Sequence, residues 1–88
     1  METGRVVRSI AGHDRDRFYV VVDAGDGKVY IADGRLRKLA KPKAKNPLHI
    51  RPTSNAIDLE NCKTDKKLRE LLKPYNDRAQ AAEPQRGR

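Results

Sequence analysis

The chain of 88 residues has little of what cross-links small proteins. It has one cysteine, Cys62, and two histidines, His13 and His49, so an intrachain disulfide is excluded and a structural zinc site would lack ligands. The longest apolar run, residues 18–22, is far shorter than the ~20 residues that span a bilayer. The N-terminus has no hydrophobic signal region. We therefore expect a soluble, intracellular protein, located in the cytoplasm.

Acidic residues are missing from one segment. Residues 35–51, the basic segment, hold seven lysines and arginines and no aspartate or glutamate. Residues 1–34 have five basic and six acidic side chains, and residues 52–88 have eight and six, so the segment carries almost all of the net charge of +8. A field this concentrated attracts a polyanion such as a phosphate backbone. Pro42 and Pro47 interrupt any helix there, so we predict an extended, exposed loop.

Other interpretations of the basic segment stay open at this point. It can be a solvated loop that only aids solubility, although surface charge usually mixes signs. It can bind an acidic protein. An anionic membrane is disfavoured, because no amphipathic apolar face accompanies the charge.

The first half of the chain has the pattern of short antiparallel strands separated by turns. The run Arg17–Asp23 is apolar on both faces, as in a strand inside a barrel, and glycines follow it in the turn Ala24–Gly27. Val20, Val22, Val29 and Ile31 are expected in one core. The other predicted strands are Arg5–Ile10, Lys28–Ala32, a short strand anchored by Leu36 and Leu39, and Leu48–Arg51.

One helix is predicted over residues of about 64–74. Thr64 is its expected N-cap, and Leu68, Leu71, Leu72 and Tyr75 form one apolar stripe at helical spacing. Pro74 should stop or kink the helix. The polar residues 76–88 are predicted to be a disordered basic tail, which leaves a single domain over residues 1–75.

Two parts of the chain resemble a known family. Residues 4–23 resemble a KOW motif, a strand–loop–strand unit of ribosomal and transcription-elongation proteins. Residues 31–49 add Asp-Gly-Arg-Leu-Arg-Lys and Lys-Pro-Lys-Ala-Lys-Asn-Pro-Leu-His, and residues 64–69 match the start of a following helix. The combination is similar to the group of the eukaryotic- and archaeal-type large-subunit ribosomal protein fourteen.

The resemblance implies a mainly β fold, a small SH3-like barrel with one C-terminal helix, which binds RNA through the loop after the first strand and nearby basic segments. One departure is Asp16, where a KOW motif commonly has a glycine. Aspartate tolerates left-handed backbone geometry, so the loop should still form. However, Asp14 and Asp16 partly neutralise Arg15 and Arg17, which shifts the expected phosphate contacts towards the basic segment.

The predicted RNA-binding residues therefore come mainly from the basic segment and secondarily from the first loop. His13 and His49 can equally be hydrogen-bonding anchors of their loops, and Tyr19 and Tyr30 are better explained as core residues than as stacking platforms. The predicted set is Arg35, Arg37, Lys38, Lys41, Lys43, Lys45, Asn46, His49, Arg51, His13, Arg15 and Arg17.

Catalysis has no support in the sequence, because neither histidine stands beside a nucleophile and the carboxylates lie in turns and on the helix. We expect a monomeric, non-enzymatic protein that binds RNA, in particular ribosomal RNA, or associates with the ribosome, with no cofactor, metal, membrane or small-molecule substrate. DNA is not excluded, because phosphate contacts do not read the 2′-hydroxyl. The alternative is a protein–protein adaptor of the translation or transcription machinery.

Overall fold

The computed structural model describes residues 2–12 and 15–86, with side chains as far as Asp77. The described residues form a mainly β domain, with five antiparallel strands in one sheet and a C-terminal helix, which confirms the predicted fold class. The elements are β1 (Arg5–Ser9), β2 (Phe18–Gly25), β3 (Lys28–Ala32), β4 (Lys43–Lys45), a 3₁₀ turn (Pro47–His49), β5 (Ile50–Ala56) and α1 (Asp65–Arg86).

The sheet curls, because its two edge strands are joined by a short connection. The strand order is β4-β3-β2-β1-β5, and four residues link β4 to β5. In a flat sheet these edges would lie about 19 Å apart. Five residue steps reach at most about 17 Å, and less where the chain forms a 3₁₀ turn. Register shifts in the β1–β5 and β2–β3 pairings are bulges of the kind that bend strands. The architecture is compatible with a small barrel.

Apolar side chains lie on both faces of this sheet, because neighbouring residues of a strand point to opposite sides. The inner cluster contains Val7, Tyr19, Val21, Val29, Ile31 and Ile50. On the outer face, Val6, Val20 and Ala32 pack with Cys62, Leu68 and Leu72. The single core predicted for Val20, Val22, Val29 and Ile31 is therefore wrong: the first two lie on the outer side and the last two on the inner side.

Two aspartates take the left-handed backbone conformation in tight turns. Asp16 has φ of 71°, so this aspartate does adopt the left-handed geometry that it was expected to tolerate. In the β2–β3 turn the positive φ angles belong to Asp26 (54°) and Gly27 (73°), a pair typical of a two-residue hairpin turn. Gly25, which was expected to use its freedom there, is the last residue of β2.

The fourth strand lies inside the basic segment, not at Leu36 and Leu39. Lys43–Lys45 pairs with β3, and Leu36 stands 65% exposed in a loop. Leu39 contributes to the outer cluster without being in a strand. The predicted strand Leu48–Arg51 begins only at Ile50, because Asn46 and Pro47 start a 3₁₀ turn in which Asn46 Oδ1 accepts a hydrogen bond from the Leu48 N–H (2.9 Å).

Helix α1 begins as predicted and continues further. The Lys67 N–H donates to Thr64 Oγ1 (3.1 Å), which is the expected N-cap. The helix continues through Pro74, so the predicted end there is wrong. Tertiary contacts just after the proline hold the chain to the sheet: the Tyr75 and Phe18 rings lie 5.5 Å apart, and the Phe18 N–H donates to Asn76 Oδ1 (2.8 Å).

Residues 76–86, predicted to be disordered, have helical backbone, and residues 87 and 88 lie outside the described residues. No helix of the described part of the chain is both long and apolar enough to cross a membrane.

Candidate nucleic-acid interface

The antiparallel registers bring three connections to one end of the sheet, which we call the loop end. β1 ends there, β2 begins, β3 ends and β5 begins. The loop end therefore contains the described residues of the first loop (10–12 and 15–17), the β3–β4 loop (residues 33–42) and the turn before β5 (residues 46–49). The pairs that define it are Ser9 with Ile50, Arg8 with Phe18, and Val20 with Ala32.

Contacts between these connections hold the loop end together. The Ile10 N–H donates to the His49 carbonyl oxygen (2.9 Å), which ties the first loop to the turn before β5. Lys45 Nζ donates to the Ala11 carbonyl oxygen (3.3 Å). The first loop and the basic segment, separate in sequence, thus form one surface.

The β3–β4 loop is folded around the carboxylate of Asp33. Asp33 Oδ1 accepts hydrogen bonds from the N–H groups of Arg35 and Arg37, each at 2.9 Å. The N–H groups of Asp33 and Gly34 both donate to the Arg37 carbonyl oxygen, at 2.9 and 3.0 Å. An aspartate that binds the backbone of the residues after it is a common turn-forming device. The backbone of residues 33–37 is therefore well ordered, while the side chains of Arg35 and Arg37 are exposed.

The same loop is fastened to the start of α1. The Leu39 N–H donates to Asp65 Oδ1 (2.8 Å). Gly34 is buried with φ of 78°, and a Cβ on it would overlap the Asp65 carbonyl oxygen. Close approach of backbone to backbone thus requires glycine at this position.

The structure distributes the predicted site residues unevenly. The exposed ones are Arg15, Arg35, Arg37, Lys38, Lys41, Asn46, His49 and Arg51, and His13 lies outside the described residues. Asn46 also caps the 3₁₀ turn with its side chain.

The basic segment is not exposed throughout, which corrects the prediction of an extended loop. Lys43 is half-buried and Lys45 only 8% exposed, because pairing of β4 with β3 sets them beside Ile31 and Val29. Lys45 also holds the first loop, as described above. These two lysines contribute to the structure, and their contact with RNA stays a prediction.

Arg17 links two parts of the loop end. Its Nη2 lies 3.7 Å from Asp33 Oδ2, and the Asp33 side chain is 1% exposed. The guanidinium of Arg17 therefore already faces a buried carboxylate, unlike the exposed Arg15 on the same loop. We expect Arg15 to be the more available of the two for an external anion.

A cleft of about 500 Å³ separates the loop end from α1, and its basic residues on α1 were not predicted. Lys66, Arg69 and Lys73 occupy one helical stripe, at spacings of three and four residues, and this spacing was the available sequence signal. The lining is Arg17, Asp33, Arg35, Lys66, Arg69, Glu70, Leu72, Lys73, Asn76 and Asp77.

Arg8 was also not predicted as part of the site. It is exposed and stands directly opposite Arg51 in the β1–β5 pairing. Like charges facing each other across strands are unfavourable unless an anion compensates them. Arg8 and Arg51 therefore extend the basic surface from the loop end along the outer face of the sheet.

The described residues give little support for a metal site or, at Cys62, for a reactive thiol. Across residues 2–12 and 15–86, no three His, Cys, Asp or Glu side chains are grouped so that they could hold a metal ion. Cys62 is buried, and burial raises the pKa of its thiol above 9.0, with the Lys67 charge acting in the opposite direction. The thiol is therefore protonated at neutral pH and weakly reactive.

The sequence matches no protein-family model and no curated protein. The argument for a function therefore depends on the chain's own residues and their arrangement.

Proposed function

We propose that this protein is a non-enzymatic RNA-binding protein that holds the phosphate backbone at the loop end. The observation that carries the proposal is the β3–β4 loop, which presents the exposed Arg35, Arg37, Lys38 and Lys41 from a stretch, residues 35–51, that has no acidic residue. Arginine forks onto phosphate oxygens, and lysine acts as a point charge. Contacts of this kind recognise a backbone and its shape more than its base sequence.

The anchoring of this loop supports the proposal. The carboxylates of Asp33 and Asp65 accept hydrogen bonds from the loop backbone, so the loop is ordered before any ligand binds. A preorganised loop loses less conformational entropy on binding. The arginine side chains keep their positive charge towards solvent.

The resemblance to KOW ribosomal proteins supports ribosomal RNA as the target. A role in translation as part of a ribonucleoprotein, and a cytoplasmic location, belong to the same proposal. We propose that the monomer is the binding form, with neither a cofactor nor a small-molecule substrate.

The test compares salt dependence in two double variants. With about four to six phosphate contacts, log K for single-stranded RNA should fall against log [salt] with a slope near −3 to −4, at about −0.7 per contact. Arg35→Ala with Arg37→Ala removes two contacts and should make the slope shallower by about 1.4. The matched control is Lys28→Ala with Lys67→Ala, which removes the same charge. Lys28 is exposed at the opposite end of the sheet, and Lys67 is exposed on α1 outside the cleft.

The control should retain the wild-type slope. Equal losses in both double variants would mean that net charge alone attracts RNA, and the site would then be wrongly placed. Absence of binding by the wild-type protein would refute the proposed function itself.

A second candidate function is a protein adaptor, favoured by two exposed leucines. Leu36 is 65% exposed in the β3–β4 loop and Leu48 is 81% exposed in the turn before β5. Apolar side chains on a basic surface suit an acidic partner with apolar anchors. If the protein is an adaptor, it should purify without nucleic acid. RNA binding predicts an ultraviolet absorbance ratio raised by nucleic acid, which falls after a high-salt wash.

A further inference from the structure

The cleft between the loop end and α1 has the size and polarity of a site for one nucleotide. Its volume of about 500 Å³ lies within the range typical of small-ligand sites. One wall comes from Arg17, Asp33 and Arg35, and the other from the polar face of α1. Among the described residues of the lining, Leu72 alone is apolar, and it is itself 1% exposed. A polar ligand therefore fits this cleft better than an apolar one.

The charges of the cleft favour a phosphate at one end. Arg35, Lys66 and Arg69 are exposed basic residues of its rim, and together they outweigh the exposed carboxylate of Glu70 in the same lining. Further along α1, Lys73 Nζ lies 3.6 Å from Asp77 Oδ2, so its charge is already partly compensated. A phosphate should thus lie near the first three residues rather than near Lys73.

The wall of the cleft contains a donor and an acceptor that lack hydrogen-bond partners. Asp33 Oδ2 and Arg17 Nε are both buried, and neither makes a hydrogen bond to any described residue. The closest atoms of the ion pair, Arg17 Nη2 and Asp33 Oδ2, are 3.7 Å apart, too far for a hydrogen bond. A buried polar atom without a hydrogen bond lowers the stability of the folded protein, and a ligand that supplies the hydrogen bond removes this cost. A hydroxyl group satisfies both, because it donates one hydrogen bond and accepts others.

The hydroxyl that accompanies a phosphate in RNA is the ribose 2′-OH. A carboxylate that accepts a hydrogen bond from this group is an established way to recognise ribose in nucleotide sites. The 2′-OH also distinguishes RNA from DNA. An unpaired donor and acceptor beside a cationic rim therefore complement a ribonucleotide.

We propose that the cleft holds one nucleotide of the bound single strand, with its phosphate at Arg35, Lys66 and Arg69 and its 2′-OH between Asp33 and Arg17. This proposal rests on the RNA-binding function above and adds a preference for RNA over DNA. In the free protein the Arg17 side chain, 21% exposed, faces Asp33 at 3.7 Å, so binding requires a shift of this side chain that admits the hydroxyl between the two residues.

The test measures preference rather than affinity alone. Fluorescence anisotropy compares an RNA strand of about 12 nucleotides with DNA of the same base sequence and with its 2′-O-methyl form. The wild-type protein should bind the RNA about three- to tenfold more tightly than the DNA. The 2′-O-methyl strand lacks the hydroxyl proton and should bind no better than the DNA. This comparison needs no variant, so it is independent of folding.

The variant Asp33→Asn then tests whether Asp33 recognises the 2′-OH. The amide keeps an oxygen for the N–H groups of Arg35 and Arg37, and replaces the second carboxylate oxygen by an NH₂ group. The added net charge can raise both affinities, so the ratio of RNA to DNA affinity is the readout. That ratio should fall towards one in the folded variant, and the melting temperature should fall as well, because the amide NH₂ replaces the oxygen that faces Arg17.

A second pair of variants tests the rim. Lys66→Ala with Arg69→Ala should weaken binding of RNA and DNA equally and leave the ratio intact. The matched control is Lys63→Ala with Lys67→Ala, which removes the same charge from exposed residues outside the cleft lining.

Several results would overturn the inference while RNA binding itself stands. These are equal affinity of the wild-type protein for RNA and DNA, tight binding of the 2′-O-methyl strand, a preference that survives Asp33→Asn, or equal losses in the rim and control variants. If neither RNA nor DNA binds, the proposed function fails first.

Discussion

Gly34 joins the loop end to α1, and its replacement by alanine tests this junction. The residue has φ of 78°, a conformation that costs an L-residue about 1–2 kcal/mol. The added Cβ would also overlap the Asp65 carbonyl oxygen and lie 3.1 Å from its carbonyl carbon. Because both contacts are with backbone, the helix start or the loop must move, and overpacking of this kind costs about 1–3 kcal/mol. Gly34→Ala should therefore lower the free energy of unfolding by about 2–5 kcal/mol.

Variants of two other glycines separate the cost of the positive φ from the cost of the overlap with Asp65. Gly27 has φ of 73° with no atom within 4 Å of an added Cβ, so Gly27→Ala should show only the conformational cost of about 1–2 kcal/mol. Gly25 has neither a positive φ nor a neighbour within 4 Å. Gly25→Ala should be neutral or slightly stabilising, because alanine restricts the unfolded chain. The difference in the free energy of unfolding between Gly34→Ala and Gly27→Ala measures the contact with Asp65.

The assay is urea unfolding followed by circular dichroism, with linear extrapolation to water. A domain of 88 residues has a total stability of about 4–13 kcal/mol, so a loss of about 5 kcal/mol unfolds the Gly34 variant only if the total lies at the low end of this range. If Gly34→Ala costs no more than Gly27→Ala, the loop does not lie against the helix start. The described anchoring of the β3–β4 loop would then be wrong.

Two further predictions concern the buried outer face. Leu72 is 1% exposed between α1 and the sheet, so Leu72→Ala should cost about 2–5 kcal/mol in urea unfolding, whereas Leu36→Ala, at an exposed loop position, should cost almost nothing. Burial raises the pKa of Cys62 above 9.0, so its stabilising contribution is complete below that pH and is lost as pH rises through the folded-state pKa. The free energy of unfolding should accordingly decline at alkaline pH by less in Cys62→Ala than in wild type, and equal declines would contradict the assignment.

Local patterns predicted the parts of the fold that local physics determines. The run at residues 18–22 is apolar at successive positions because β2 is covered on both faces. Thr64 and the stripe containing Leu68 and Leu72 located the start and the buried side of α1. Each of these signals depends on residues within a few positions of each other, which is why one sequence sufficed.

Distant contacts decided the features that were predicted wrongly. Pro74 argues locally for a helix end, but Asn76 and Phe18, 58 positions apart, hydrogen-bond across the domain and hold the helix beyond it. A lysine in a basic segment is expected to be exposed. Lys45 is instead buried, because β4 pairs with β3 and because its Nζ donates to the carbonyl oxygen of Ala11, 34 positions away. No spacing rule contains this information.

The site shows the same division. The sequence located the charge in residues 35–51, because charge is visible residue by residue. The contribution of α1 depends on how the helix crosses the loop end, which only the fold determines. In the sequence Asp33 is only the first residue of the motif Asp-Gly-Arg-Leu-Arg-Lys, and the structure gives it the central place in the loop.

The use of acidic residues at the loop end explains how a cationic loop can be ordered without losing its charge. Asp33 and Asp65 bind backbone N–H groups of the β3–β4 loop, so they order its chain while the side chains of Arg35 and Arg37 remain exposed. Had the same carboxylates paired with those guanidinium groups, the local field that attracts a phosphate would be reduced. Arg17 shows this second situation, since it faces Asp33. Under the proposed function, the exposed arginines should therefore contribute to the salt dependence of RNA binding, and Arg17 should contribute to the preference for RNA over DNA.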